Sequence, residues 1–249
     1  MKISVLCSGS TGNSCVVEDR NTKLMIDCGG TKGYLLNSLK TLQLEINDLD
    51  ALLLTHGHTD HISQIKHFKG INTFGTFTCD KVEMNLIGTH ESFEVKDLKI
   101  CSLPLSHDFP KTVGFKIVGE STLVYITDTG YVNERLFEEI KNADFIVLEC
   151  NHDPGMLMKT NRPFPTKQRI MSSSGHLSNS ECARVLSKII GPKTKEVILA
   201  HISAEGNTYK LAEEIVKSEL DKYKVDYSNI RIRAAEAFTM IQMGDVVYD

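Results

Sequence analysis

Five short apolar runs, each closing on a carboxylate or an imidazole, constrain this chain more than any other feature. They span 23–26, 49–54, 123–126, 145–148 and 197–199. Polar or turn residues bound each one, the pattern of strands buried on both faces. The first leads into Asp27-Cys28-Gly29-Gly30 and the second into Thr55-His56-Gly57-His58-Thr59-Asp60-His61. The others lead into Thr127-Asp128-Thr129-Gly130, Glu149-Cys150-Asn151-His152-Asp153 and Ala200-His201-Ile202-Ser203. Ligands of α/β proteins bind at the carboxyl ends of strands, so this arrangement predicts a polar site there. Helical spacing of Leu35, Leu36, Leu39 and Leu42, of Leu136, Phe137 and Ile140, and of Cys182, Val185, Leu186 and Ile189 predicts helices between the runs. Leu211, Ile215 and Leu220 repeat the spacing more loosely. The opening reads as strand–loop–strand around residues 8–14, and 70–99 is β-prone through Phe74, Phe77, Val82, Phe93 and Val95. The class is α/β. No repeat, low-complexity tract or linker interrupts it, so residues 1–249 are expected to form a single domain.

Composition excludes several functions. With 41% apolar and 24% charged residues, the 249-residue chain is globular rather than disordered or collagen-like. Lys plus Arg number 28 against 32 Asp plus Glu, a net charge of −4, so net charge does not point to a nucleic-acid binder, although a local basic patch stays open. The absence of Trp, with ten Phe and seven Tyr, argues against an aromatic base-stacking platform. Seven dispersed cysteines without a C-x-x-C pair predict reduced, mostly buried thiols. The amino terminus has too short an apolar run for a signal peptide, and no apolar stretch approaches the roughly 18 residues of a membrane span. These features predict a cytoplasmic protein with no membrane association.

The segment His56-x-His58-x-Asp60-His61 packs three imidazoles and a carboxylate into six residues. Imidazole suits zinc, iron and manganese, and the carboxylate adds an oxygen ligand and negative charge. After a strand, residues 56 and 58 can face one way while 60 and 61 turn to a second ion. Thr-His-Gly-His-Thr-Asp-His after an apolar strand resembles the signature of the metallo-β-lactamase fold hydrolases. Asp27, His107, Asp128 and His201 follow the family's order, and the resemblance spans nearly the whole chain. Narrower matches resemble the YycJ/WalJ-type phosphodiesterases, with ribonuclease Z a more distant relative. They are Ser8-Gly9-Ser10-Thr11-Gly12-Asn13, Thr127-Asp128-Thr129-Gly130-Tyr131-Val132, Glu149-Cys150-Asn151-His152-Asp153, Gly175-His176-Leu177-Ser178-Asn179 and Ala200-His201-Ile202-Ser203. Phage anti-Pycsar proteins, which hydrolyse cyclic mononucleotides, are similar to a compact branch of the same family.

The resemblance implies a four-layer αββα sandwich with two divalent metal ions at one edge. His56, His58 and His107 would hold one ion, Asp60, His61 and His201 the other, with Asp128 bridging. Zinc is the expected metal and manganese the alternative. A metal-bridging hydroxide, oriented by Asp60, would attack phosphorus. Asp27 is expected behind a ligand histidine as its hydrogen-bond acceptor, and His152 near the ligands or the substrate. In ribonuclease Z a related Gly-His motif supplies the general acid, so His176 is expected to protonate the leaving oxygen.

Residues around His176 sharpen the substrate. Ser178-x-x-Glu181 reads as a capping box, and a helix N-terminus favours phosphate. Residues 154–180 contain no acid yet carry Lys159, Arg162, Lys167 and Arg169. Pro163 and Pro165 restrict that stretch, while Ser172, Ser173, Ser174 and Gly175 give it mobility, so it reads as a flap over an anionic substrate. Arg162, Lys167, Arg169, Ser178 and Asn179 are the expected substrate contacts. Charge confined to one segment favours a small anionic nucleotide, and the anti-Pycsar resemblance makes a cyclic mononucleotide such as cyclic CMP or cyclic UMP, opened to the nucleoside monophosphate, the leading expectation. The alternatives are a 5'-3' exonuclease on nucleic acid and, behind it, a thioester or lactone hydrolase. A flavin-dependent di-iron enzyme would need a flavin module that is not legible here, and a nucleotide-binding sponge would not need the full ligand set. Family resemblance also implies a homodimer, and a host cytoplasmic setting if a phage encodes the chain.

Overall fold

The computed structural model describes residues 1–245. Its first sheet is built from β1 (Lys2–Cys7), β2 (Ser14–Asp19), β3 (Thr22–Ile26), β4 (Ala51–Leu53), β5 (Thr73–Gly75), β6 (Met84–Leu86) and the late strand β14 (Ile241–Gly244), in the order β14-β1-β2-β3-β4-β5-β6. The second takes β7 (Ser92–Val95), β8 (Leu98–Pro104), β9 (Val113–Val118), β10 (Thr122–Ile126), β11 (Phe145–Glu149), β12 (Glu196–Ala200) and β13 (Arg231–Ala234), in the order β13-β12-β11-β10-β9-β8-β7. Both sheets are mixed. β3, β4, β5 and β6 pair in parallel, as do β10, β11, β12 and β13, while the remaining neighbours are antiparallel.

Strand periodicity sorts the core into three layers of contact. Leu24, Ile26, Ala51 and Leu53 of the first sheet meet Phe115, Leu123, Tyr125, Val147 and Ile198 of the second. Met25 and Leu52, on the opposite face, pack on Leu35 and Leu39 of α1 (Lys32–Thr41). Beyond the second sheet, Val124, Ile126, Ile146, Leu148, Val197 and Leu199 pack on helices. Those helices are α3 (Phe137–Ile140), α6 (Asn179–Ile189) and α7 (Tyr209–Lys222), while α2 (Thr59–Ile62) is a single turn in the first half. The order is helix, sheet, sheet, helix, the four-layer αββα sandwich. Each fully buried Leu or Ile contributes ~1.5–3 kcal/mol relative to exposure.

Several local expectations shift. The run 49–54 pairs as a strand only over Ala51–Leu53. In α1 Leu36 is exposed, and in α7 the buried stripe is Ala212, Val216 and Leu220, offset by one from the expected Leu211 and Ile215. Ser178 caps α6 by accepting from the Glu181 amide, but the Glu181 carboxylate turns to Arg184 instead of closing the box. Residues 154–170 form two short helices, α4 (Pro154–Lys159) and α5 (Phe164–Ile170), rather than an open flap. Their prolines sit in the first turn, where a missing N–H costs nothing, and Asp153 caps α4. All seven cysteines are free, five of them buried. Among the described residues no helix is long and apolar enough to cross a membrane.

Candidate metal centre

Parallel pairing brings strand ends from both sheets to one edge, and sharp turns aim their side chains. Asp27 follows β3 with φ +56°, Asp128 follows β10 with φ +57°, and His201 follows β12 with φ +54°. Such left-handed conformations are rare outside glycine, and Asp and His are enriched among the exceptions. Each costs of order 1–3 kcal/mol and persists only when its surroundings hold it. The turn at α2 is held by backbone: the Asn13 amide donates to the Asp60 carbonyl at 2.8 Å and the Cys28 amide to the His61 carbonyl at 2.7 Å. Gly29 lies so close beneath that a Cβ there would overlap the Asp60 carbonyl oxygen.

Around Asp128 the structure gathers two trios. Donor atoms of His56, His58 and His107 converge in one, and those of Asp60, His61 and His201 in the other. The Asp128 carboxylate lies between them, 3.1 Å from His61 Nε2, 3.5 Å from His201 Nε2 and 3.8 Å from His107 Nε2. Four of these imidazoles are anchored through Nδ1. His61 Nδ1 lies 2.7 Å from Asp27 Oδ2, and His201 Nδ1 lies 2.9 Å from Glu149 Oε1. His56 Nδ1 is 3.0 Å from Thr55 Oγ1, and His107 Nδ1 is 3.2 Å from the Gly175 carbonyl. Thr55 also donates to both oxygens of Asp27, at 2.9 Å from its amide and from its hydroxyl. Nε2 is therefore the nitrogen that these four rings offer to the centre. His56 Nε2 and His201 Nε2 are buried without a hydrogen-bond partner, an arrangement that is costly for a protein alone and natural for a metal ligand. Two divalent cations fit this N/O donor set.

Electrostatics separate the trios. Burial holds the proton affinity of His56 and His107 below the usual histidine value. Burial also disfavours charge on His61 and His201, but Asp128 with Asp27, and Asp128 with Asp60 and Glu149, outweigh it and raise both. Glu149, to which the sequence assigns no role, is completely buried. It accepts from the Thr129 amide at 2.9 Å and the Leu177 amide at 3.1 Å, and its Oε1 lies 2.8 Å from His176 Nδ1 as well as beside His201. Burial would raise its pKa, but those imidazoles bring it down to about 2. With two amides and two imidazoles on its oxygens, Glu149 anchors His176 and His201, and its carboxylate also converges with Asp128, His176 and His201 in a further donor cluster. Asn13 is the other unselected neighbour: its Nδ2 lies 3.0 Å from His61 Nε2 and 3.3 Å from Asp60 Oδ2. Glu149 ends an apolar run like the other site residues, and Asn13 closes the Ser8-Gly9-Ser10-Thr11-Gly12-Asn13 motif; those were their signals, though neither told the role.

His176 borders a cavity of about 100 Å³ together with His201, Asn151, Ser10, Arg162 and Arg169. Both arginines are already paired, Arg162 with Glu205 at 3.2 Å and Arg169 with Asp108. Three expected substrate contacts are engaged within the protein. Lys167 is buried and its ammonium donates to the carbonyls of Met158 and Thr160, both at 2.8 Å, so it ties α5 to α4 instead of facing a ligand. Asn179 is fully buried, its amide group locked between Cys150 and Asn207. The Ser178 hydroxyl is spent on the helix cap. His152 is buried with Nδ1 unpartnered and joins none of the metal-type clusters; its backbone pairs with Ser178. Burial lowers its pKa to about 4.

A family model described as "Beta-lactamase superfamily domain" matches residues 22–202. The chain is 31% identical over 236 residues to a Streptococcus pneumoniae protein named exodeoxyribonuclease WalJ, covering 88% of each. It is 32% identical over 239 residues to a Bacillus anthracis protein named exodeoxyribonuclease YycJ, covering 89% of this chain and 90% of the relative. In fold it is similar to the crystal structure of the metallo-β-lactamase fold protein YhfI from Bacillus subtilis, with a TM-score of 0.71 at 18% identity over 97% of this chain and 99% of that one.

Proposed function

The chain belongs to the β-lactamase superfamily, in the family of the WalJ and YycJ relatives, and from that membership we propose a metal-dependent phosphodiesterase that trims DNA from an end. The observation that carries the reading is the convergence of imidazole donors on Asp128, with His56 Nε2 and His201 Nε2 buried and unpartnered and the Nδ1 atoms of His56, His61, His107 and His201 engaged elsewhere.

In this reading His56, His58 and His107 hold one divalent cation, zinc by preference and manganese as the alternative, and Asp60, His61 and His201 hold the second, with Asp128 shared. Two such ions supply Lewis acidity and a water of lowered pKa for attack on phosphorus. Asp27, Thr55, Glu149 and the Gly175 carbonyl keep the rings in one tautomer and orientation. Glu149 has a further task, holding His176 by Nδ1 so that Nε2 carries the proton given to the leaving oxygen. Arg162 and Arg169 border the cavity, and each exchanges its carboxylate partner for the phosphate. The chain acts as a single catalytic domain, and a homodimer in the cytoplasm completes the proposal on family resemblance.

Identity above 30% to two relatives named exodeoxyribonucleases moves the preferred substrate from a cyclic mononucleotide to a polymer end. The cyclic mononucleotide stays as a second reading because the two arginines at the cavity offer no extended basic track. Manganese- or zinc-loaded protein offered 5'-phosphorylated DNA, cyclic CMP and cyclic UMP should release mononucleotides from the DNA. Hydrolysis of the cyclic nucleotides with intact DNA would reverse the order of the two readings. Inertness toward all three would defeat both and point to acyl substrates.

A further inference from the structure

We propose that His90, Cys101 and Glu139 form a second metal-binding site, separate from the Asp128 centre, that takes a single zinc-like divalent cation with one position left to water. The three come from different elements: the turn before β7, the middle of β8 and α3. Their donor atoms all lie within 4.8 Å of one another. Glu139 stands in the middle, Oε2 at 2.9 Å from His90 Nε2 and Oε1 at 3.1 Å from Cys101 Sγ.

The turn that delivers His90 is built rather than loose. Ser102 Oγ accepts from the Glu91 amide at 3.0 Å and donates to the Gly88 carbonyl at 2.8 Å, pinning the turn to the strand that carries Cys101. Glu91 Oε2 closes the turn on the Gly88 amide. A thiolate, an imidazole and a carboxylate suit a borderline-soft ion; calcium and magnesium, which want oxygen, fit poorly. Three protein ligands with an open fourth position is a familiar zinc arrangement.

Charge sets the affinity. The thiolate and carboxylate together neutralise a dication, while the Lys116 ammonium, donating to the Glu139 carbonyl at 2.6 Å, adds one positive charge beside them. Binding breaks the two contacts within the cluster and sends the Cys101 proton to solvent, and His90 ligates as neutral imidazole. Half-exposed His90 gives the ion its entry path. The bound ion would staple β8, whose chain runs on to His107, to α3, which follows the Asp128 turn.

The test uses the full-length protein, stripped of metal and titrated with cobalt(II). A sulfur-to-cobalt charge-transfer band is expected, because the clusters around Asp128 contain no cysteine. Cys101→Ser should abolish the band and lower bound cobalt by about one equivalent, leaving cobalt at the other sites. Glu139→Gln, which keeps the thiol, should retain the band but require more cobalt. Cys79→Ser, at the other partly exposed thiol, should change nothing. Absence of the band in the unaltered protein, its persistence in Cys101→Ser, or its loss in Cys79→Ser would each overturn the site.

Discussion

The two trios facing Asp128 differ in what stands behind their rings. His61 and His201 are backed by buried carboxylates, Asp27 and Glu149. His56 and His107 are backed by neutral oxygens, the Thr55 hydroxyl and the Gly175 carbonyl, and His58 is partly exposed beside Asp108 at 3.6 Å. A carboxylate behind an imidazole raises its basicity as a ligand. The Asp60, His61, His201 side should therefore hold its ion more tightly. On the proposed two-ion reading, the centre would pair a firm position with a labile one.

The harshest break is at the shared residue. Asp128→Ala should empty both positions and depress activity by more than the roughly 10–100-fold that loss of an outer hydrogen-bond partner costs; metal analysis and phosphodiester turnover check it. His176→Ala should lower kcat by ~10²–10⁴ while bound metal stays constant, which separates proton donation from metal retention. Asp27→Asn should weaken the firm position most, by about 10–100-fold in metal affinity, with a smaller effect on His56 through Thr55. Glu149→Gln should weaken it similarly and also lower kcat, since the same carboxylate holds His176. Graded chelation of manganese-loaded protein, followed by electron paramagnetic resonance, should remove the His56, His58, His107 ion first, and in Asp27→Asn that order should blur.

The smallest effect concerns His152, on the Glu149 side. Its folded pKa of about 4 lies below the unfolded value near 6.5, so the unfolded chain binds the proton first as pH falls. Stability contributed at neutral pH should decline between about 6.5 and about 4, and His152→Gln should lack that part of the decline in denaturant titrations.

The legible parts of the molecule are local ones. His56, His58, Asp60 and His61 announce themselves because six consecutive residues carry the pattern, and Asp27, Asp128 and His201 because each ends an apolar run. Glu149 ends such a run too, yet its role depends on β11 lying between β10 and β12, which places its carboxylate under two histidines from elsewhere in the chain. Asn13 reaches His61 only through the packing of two loops. The burial of Lys167 and Asn179 is not legible, because composition records a charge or an amide but not whether packing turns it inward. The helices α4 and α5 escaped notice because six and seven residues are too few to show a period, and their prolines read as loop punctuation.

In the proposed centre, histidines and aspartates from both sheets hold a pair of cations around Asp128. Anomalous scattering from a crystal soaked in zinc or manganese, recorded at the metal edge, addresses it directly. Two peaks roughly 3.5–4 Å apart are expected, one within bonding distance of His56, His58 and His107, the other of Asp60, His61 and His201, with Asp128 reaching both. A single peak, or metal bound elsewhere while these side chains keep to themselves, would contradict it.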